Sequence, residues 1–123
     1  MAGLSYRPKG RESRAETERQ MALDPEMWLG CFIGGELAGV VVGSYDSRKG
    51  WMNRLAVVPQ HRRKGVANAL VREMERLLRA RGFGIIGVLV NDDNEASLSL
   101  FRESGYETLD HILYLRKLDD PDI

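Results

Sequence analysis

The chain has 123 residues, enough to bury one core and too few for two, so it reads as a single domain over 1–123. With 18 Lys plus Arg against 18 Asp plus Glu, no overall field draws it to nucleic acid or to a membrane surface, and any anion binding has to be local. Its one cysteine, Cys31, excludes an internal disulfide and no apolar run approaches membrane-spanning length, so the expectation is a soluble cytoplasmic protein with a buried thiol.

Met1 to Gly10 shows no periodicity, and residues 1–12 read as a flexible lead-in. Ser13-Arg14-Ala15-Glu16 has capping-box spacing and predicts a helix to about Leu23, stopped by Asp24-Pro25. Trp28 to Ile33 reads as a strand, Gly34-Gly35 as a hairpin turn and Glu36 to Tyr45 as its partner. Asp46 to Gly50 is a second polar turn. It leads into a strand over Trp51 to Val58, which Pro59 ends because proline has no N–H for a ladder.

From Val66 to Arg81, the apolar residues Val66, Ala67, Leu70, Val71, Met74, Leu77 and Leu78 recur at three- and four-residue spacing. Arg72, Glu73, Glu75, Arg76 and Arg79 fill the other face, so one side of this helix must lie on a sheet. Gly84 to Val90 is the next strand. A helix of this length between two strands is a crossover, which sets them parallel and right-handed. A second helix runs from Asn94 to Ser104 and ends at Gly105-Tyr106. Thr108 to Leu118, with Ile112, Leu113, Tyr114 and Leu115, reads as a final strand, and residues 119–123 as an acidic tail. The fold class is α/β: a mixed sheet, antiparallel first and then parallel, flanked by helices.

The chemistry concentrates in one turn. Arg62, Arg63 and Lys64 precede Gly65 where a new helix presents N–H groups with no acceptor of their own, and such a helix start seats phosphate oxygens. Each dipole interaction is worth only about 0.3–1 kcal/mol when exposed, so a diphosphate needs several amides and basic side chains to converge. The plainer reading is a helix that begins after a solvated basic loop.

In order along the chain, these features resemble the GNAT N-acetyltransferase superfamily. That family has a strand ending in Val-x-Pro, then an (Arg/Gln)-x-x-Gly-x-(Gly/Ala) turn, matched by Val57-Val58-Pro59 and by Arg62-Arg63-Lys64-Gly65-Val66-Ala67. A second strand, an Asn-led helix at Asn94 and a Gly-aromatic pair at Gly105-Tyr106 follow, so the likeness covers about residues 27 to 117. Gly43-x-Tyr45-Asp46-x-x-x-Gly50-Trp51 looks like a small bacterial subgroup with RimI-like relatives.

The resemblance implies that the two parallel strands splay and that the pantetheine arm of acetyl-CoA inserts between them. On that reading the backbone of Leu55, Ala56 and Val57 holds the pantetheine amides and polarises the thioester carbonyl. Arg62, Arg63, Lys64, Gly65, Val66 and Ala67 cradle the pyrophosphate, and Asn94 and Phe101 meet the cofactor from the second crossover helix. A helix cap is an equal account of Asn94. The implied activity is acetyl transfer from acetyl-CoA, as cosubstrate, to a primary amine of a small molecule or a protein N-terminus, directly in a ternary complex. A non-catalytic acyl-CoA-binding module of the same fold is the rival reading.

Three departures bear on mechanism. Phe101 stands where relatives carry a tyrosine that protonates the departing thiolate, and a lost general acid costs about 10²–10⁴ in rate. Tyr106, Tyr114 or an ordered water are the substitutes, each tyrosine with a packing role as the plainer account. Asn53 and Arg54 stand where some relatives carry a basic glutamate, which leaves Asn53, Asp46, Asp92, Asp93 and His61 as candidates, with His61 read as an exposed turn residue. A first strand is also missing, so Trp28 to Ile33 would be an unprotected edge; the expectation is a homodimer through that edge, or a misplaced start.

Other motifs are set aside. Gly82-Phe83-Gly84-Ile85-Ile86-Gly87 leaves a helix and enters a strand, the reverse of a dinucleotide fingerprint. His61 and His111 have no clustered cysteines or carboxylates at ligand spacing, so no metal is expected. The basic run from His61 to Lys64 lacks interleaved aromatics, and no nucleic-acid partner is expected.

Overall fold

Three strands follow one another as an antiparallel meander: β1 (Trp28–Ile33), β2 (Glu36–Tyr45) and β3 (Gly50–Val57). The computed structural model describes residues 18, 19 and 22–122. Residues 18, 19, 22 and 23 are helical, while the lead-in and the capping box at Ser13 lie outside the described residues. The β1–β2 turn uses Gly34 and Gly35 at φ 57° and 83°, the doubly left-handed geometry whose twist matches a two-residue hairpin.

Helix α1 (Val66–Ala80) then crosses over to β4 (Ile86–Val88), which pairs parallel with β3, so the sheet order is β1-β2-β3-β4. Val66, Leu70, Val71, Met74 and Leu78 of α1 are buried, as the apolar spacing predicts. The helix lies close to the sheet because glycines pave the floor beneath it. A Cβ on Gly43 would stand 2.5 Å from Met74 Sδ, and one on Gly50 would stand 2.8 Å from Leu78 Cδ2. Two glycines of the subgroup-like pattern thus have a packing role here. Helix α2 (Glu95–Glu103) follows β4 and contributes Phe101 to the same core.

One irregularity in β3 shapes everything downstream. Val42 stands opposite Arg54 and Gly43 opposite Met52, so Asn53 is an extra residue, a β-bulge. Gly50 and Met52 face α1 before it; after it Leu55 and Val57, opposite Val41 and Gly39, take that face.

The strand expected over Gly84 to Val90 is confined to Ile86–Val88. The one expected over Thr108 to Leu118 does not form: these residues join no ladder, and Leu113 and Leu115 are 80% and 86% exposed. The unbroken apolar run Ile112-Leu113-Tyr114-Leu115 offers no alternating face, and β propensity without a ladder does not make a strand. His61, expected in solvent, is buried at 7% exposure in a 3₁₀ turn over Pro59–His61.

Candidate functional site

The turn that joins β3 to α1 alternates in hand. Arg63 has φ 65° and Gly65 has φ 79°, both in the left-handed region. For arginine that geometry costs about 1–2 kcal/mol, which the surrounding turn has to offset. Gly65 is the N-cap of α1 and brings no side chain to cap it. The first helical bond there is Ala69 N–H to Gly65 O at 3.0 Å, so the N–H groups of Val66, Ala67 and Asn68 have no acceptor within the helix. Nothing lies within 4 Å of where a Gly65 Cβ would stand. The result is an open, donor-rich concavity at a positive helix end, with Arg62, Arg63 and Lys64 exposed around it, and it suits a polyanion.

His61 ties this turn to the start of β2. Its Nε2 is 3.2 Å from Glu36 Oε2, and Lys64 Nζ is 3.3 Å from its Nδ1. A lysine ammonium only donates, so Nδ1 accepts and the proton sits on Nε2, from which it is donated to Glu36; this tautomer follows from the partners. Sequence reading missed this link because Glu36 and His61 are 25 residues apart and neither belongs to a spacing motif.

The second part of the site is an opening in the sheet. Gly50, Trp51 and Met52 pair with Ile86, Gly87 and Val88, and there the ladder between β3 and β4 stops while β3 continues to Val57. Val58 donates to Ala38 O at 2.9 Å, so by strand alternation Ala56 and Arg54 turn their backbone groups to β2. Leu55 and Val57 turn theirs the other way, toward the side that β4 has vacated. The splay is therefore present in the structure, and it opens at the carboxyl end of β3 beside the basic turn. A break in the period-2 pattern, from Gly50 and Met52 to Leu55 and Val57, is the signal that could have revealed it.

The remaining candidates are dispersed. Asn94 caps α2, its side chain accepting from Ser97 N–H at 3.2 Å. Phe101 is buried and meets Tyr106 edge-on, ring centres 5.1 Å apart. The Tyr106 hydroxyl donates to Glu75 Oε2 of α1 at 2.7 Å, and burial, then that carboxylate, holds the phenol well above its ordinary range. Tyr114 is exposed on the unpaired C-terminal segment. Asp46 accepts from the N–H groups of Arg48 and Lys49 at 2.9 Å each, which holds its carboxyl below the ordinary range, and it sits before β3, at the opposite end from Arg62. Asn53 Nδ2 donates to Ser44 Oγ at 2.7 Å on the exposed side of the bulge, and Asp92 and Asp93 are exposed in the turn before α2.

Residues 4–106 match the family described as "Acetyltransferase (GNAT) family". The chain belongs to that family. An acetyltransferase of Sodalis glossinidius (strain morsitans) is 37% identical over 102 residues, covering 83% of this chain and 72% of that protein. Among solved structures, the PaiA N-acetyltransferase from Thermoplasma acidophilum in complex with coenzyme A superposes with a TM-score of 0.78 at 18% identity, over 85% of this chain and 68% of that one. An aminoglycoside N-acetyltransferase in complex with CoA gives 0.67 at 19% identity, over 82% and 87%. This GNAT chain is an N-acetyltransferase with acetyl-CoA as its cosubstrate and an amine as acceptor. Among the described residues no helix is long and apolar enough to cross a membrane, and no group of His, Cys, Asp or Glu is arranged to hold a metal ion.

Proposed function

We propose that this enzyme transfers the acetyl group directly from acetyl-CoA to a primary amine of a small molecule or of a protein N-terminus, in the cytoplasm, with both substrates bound together. The observation that carries the reading is the end of the β3–β4 ladder at Met52 and Val88, next to a helix start whose amides are unspent. The diphosphate belongs on the N–H groups after Gly65, with Arg62, Arg63 and Lys64 around it and Arg62 and Lys64 adding charge. The pantetheine arm belongs along β3, where the outward amide and carbonyl groups of Leu55 and Val57 match its alternating amides.

In this assignment the amine arrives uncharged, attacks the thioester carbonyl and expels the thiolate, and a backbone N–H of β3 steadies the oxyanion. Phe101 donates no proton and the Tyr106 hydroxyl is engaged by Glu75, so the thiolate leaves without a tyrosine acid: the attacking nitrogen gives up one proton to water and the thiolate takes one from water. A homodimer through β1, which has no strand beyond it among the described residues, is the assembly this edge supports.

Calorimetric titration with acetyl-CoA, followed by thiol release over a panel of amines and peptide N-termini, tests the assignment. Binding with release on an amine is the expected result. Binding without release across both amine classes would return the chain to a non-catalytic acyl-CoA-binding role, and absence of binding would overturn the assignment of the turn.

A further inference from the structure

The buried imidazole of His61 lies behind the anion-binding turn and takes no part in the transfer assigned above. Its two nitrogens are both engaged, by Glu36 from β2 and by Lys64 from the turn, and among the described residues these are the charged side chains that bond its ring; Arg62 and Arg63 follow it in the chain. Lys64 is exposed and reaches a neutral acceptor at 3.3 Å, whereas a diphosphate offers ionised oxygens, which form markedly stronger bonds with an ammonium.

We infer that His61 is a positioning residue that holds Lys64 in this contact and gains a proton when Lys64 moves to the acetyl-CoA diphosphate. The inference rests on the assignment of the diphosphate to this turn. When Lys64 leaves, Nδ1 is a buried lone pair with its partner gone, and a buried acceptor left unmatched is costly. A solvent proton added at Nδ1 removes that cost and turns the Nε2 contact to Glu36 at 3.2 Å into a charge-assisted pair. Lys64 keeps its own proton throughout, so the net change is one proton from solvent to His61. Acetyl-CoA binding is therefore coupled to proton uptake, and it tightens as pH falls.

The test is calorimetry of the full chain with acetyl-CoA at about pH 7, in two buffers of different ionisation enthalpy, which counts protons taken up on binding. Wild type is expected to take up more protons than Lys64→Met or His61→Gln, by a fraction that approaches one. The difference from the variants cancels any proton exchanged by the phosphates of the ligand itself. Lys64 is on the surface, so Lys64→Met carries the test if His61→Gln does not fold. Equal proton counts in wild type and variants would overturn the inference while the turn assignment stands. No binding by wild type would overturn both, and that outcome is distinguished by the absence of heat in either buffer.

Discussion

The two crossover helices of this fold begin in opposite ways. Helix α2 starts with Asn94, whose side chain accepts from Ser97 N–H and closes the helix end on itself. Helix α1 starts with Gly65, which caps nothing, and the residues before it carry three positive charges in a partly left-handed turn. One helix spends its terminal donors on stability and the other holds them for a ligand. The C-terminus of α1 shows that the helix is not simply loose. There Arg81 bonds Asp24 at 2.8 and 3.2 Å, Glu26 at 2.8 Å and the Tyr45 hydroxyl at 3.0 Å.

The sharpest way to break the contrast is to give α1 a cap like that of α2. Gly65→Asp puts a carboxylate among the free amides and should weaken acetyl-CoA binding by about 10–100-fold, measured by calorimetry, while far-UV circular dichroism is retained. Asparagine tolerates the left-handed backbone and carries no charge, so Gly65→Asn should lose much less. The converse change, Asn94→Ala, should cost about 0.5–2 kcal/mol in urea unfolding and leave the KM for acetyl-CoA nearly unaltered, because this side chain serves its own helix.

Tyr106→Phe sharpens the comparison on the flank that joins the two helices. Losing the bond to Glu75 should destabilise by about 0.5–1.5 kcal/mol with kcat unchanged, and a large fall in kcat would restore Tyr106 as the acid. The smallest effect is expected at Asp46. Its carboxyl has a lower pKa in the fold than its ordinary 3.8, so its contribution is present above that value and is lost as pH falls through the folded value. Asp46→Asn should flatten the acid limb of the stability curve and leave acetyl-CoA binding alone.

What could be read from the chain divides along physical lines. The β1–β2 hairpin was legible because Gly34-Gly35 separates two apolar runs, and α1 because Leu70, Val71, Met74 and Leu78 keep helical spacing. The basic turn was legible as composition, though the left-handed backbone of Arg63 was not, since arginine gives no hint of it. The bond between His61 and Glu36 is likewise a contact made only by the folded sheet. Thr108 to Leu118 misled because propensity describes a residue, while a strand requires a neighbour to pair with.

The bulge at Asn53 has a consequence for how such an enzyme tolerates change. If Asn53 instead paired regularly opposite Val42, Arg54 and Ala56 would swing onto the face under α1 and the backbone of Leu55 and Val57 would turn back toward β2. The groove for the cosubstrate would close although every residue assigned to it remained. It is specified by where the register shifts along a strand more than by residue identities, so substitutions within β3 should be survivable where a single residue inserted between Arg54 and Leu55 is not.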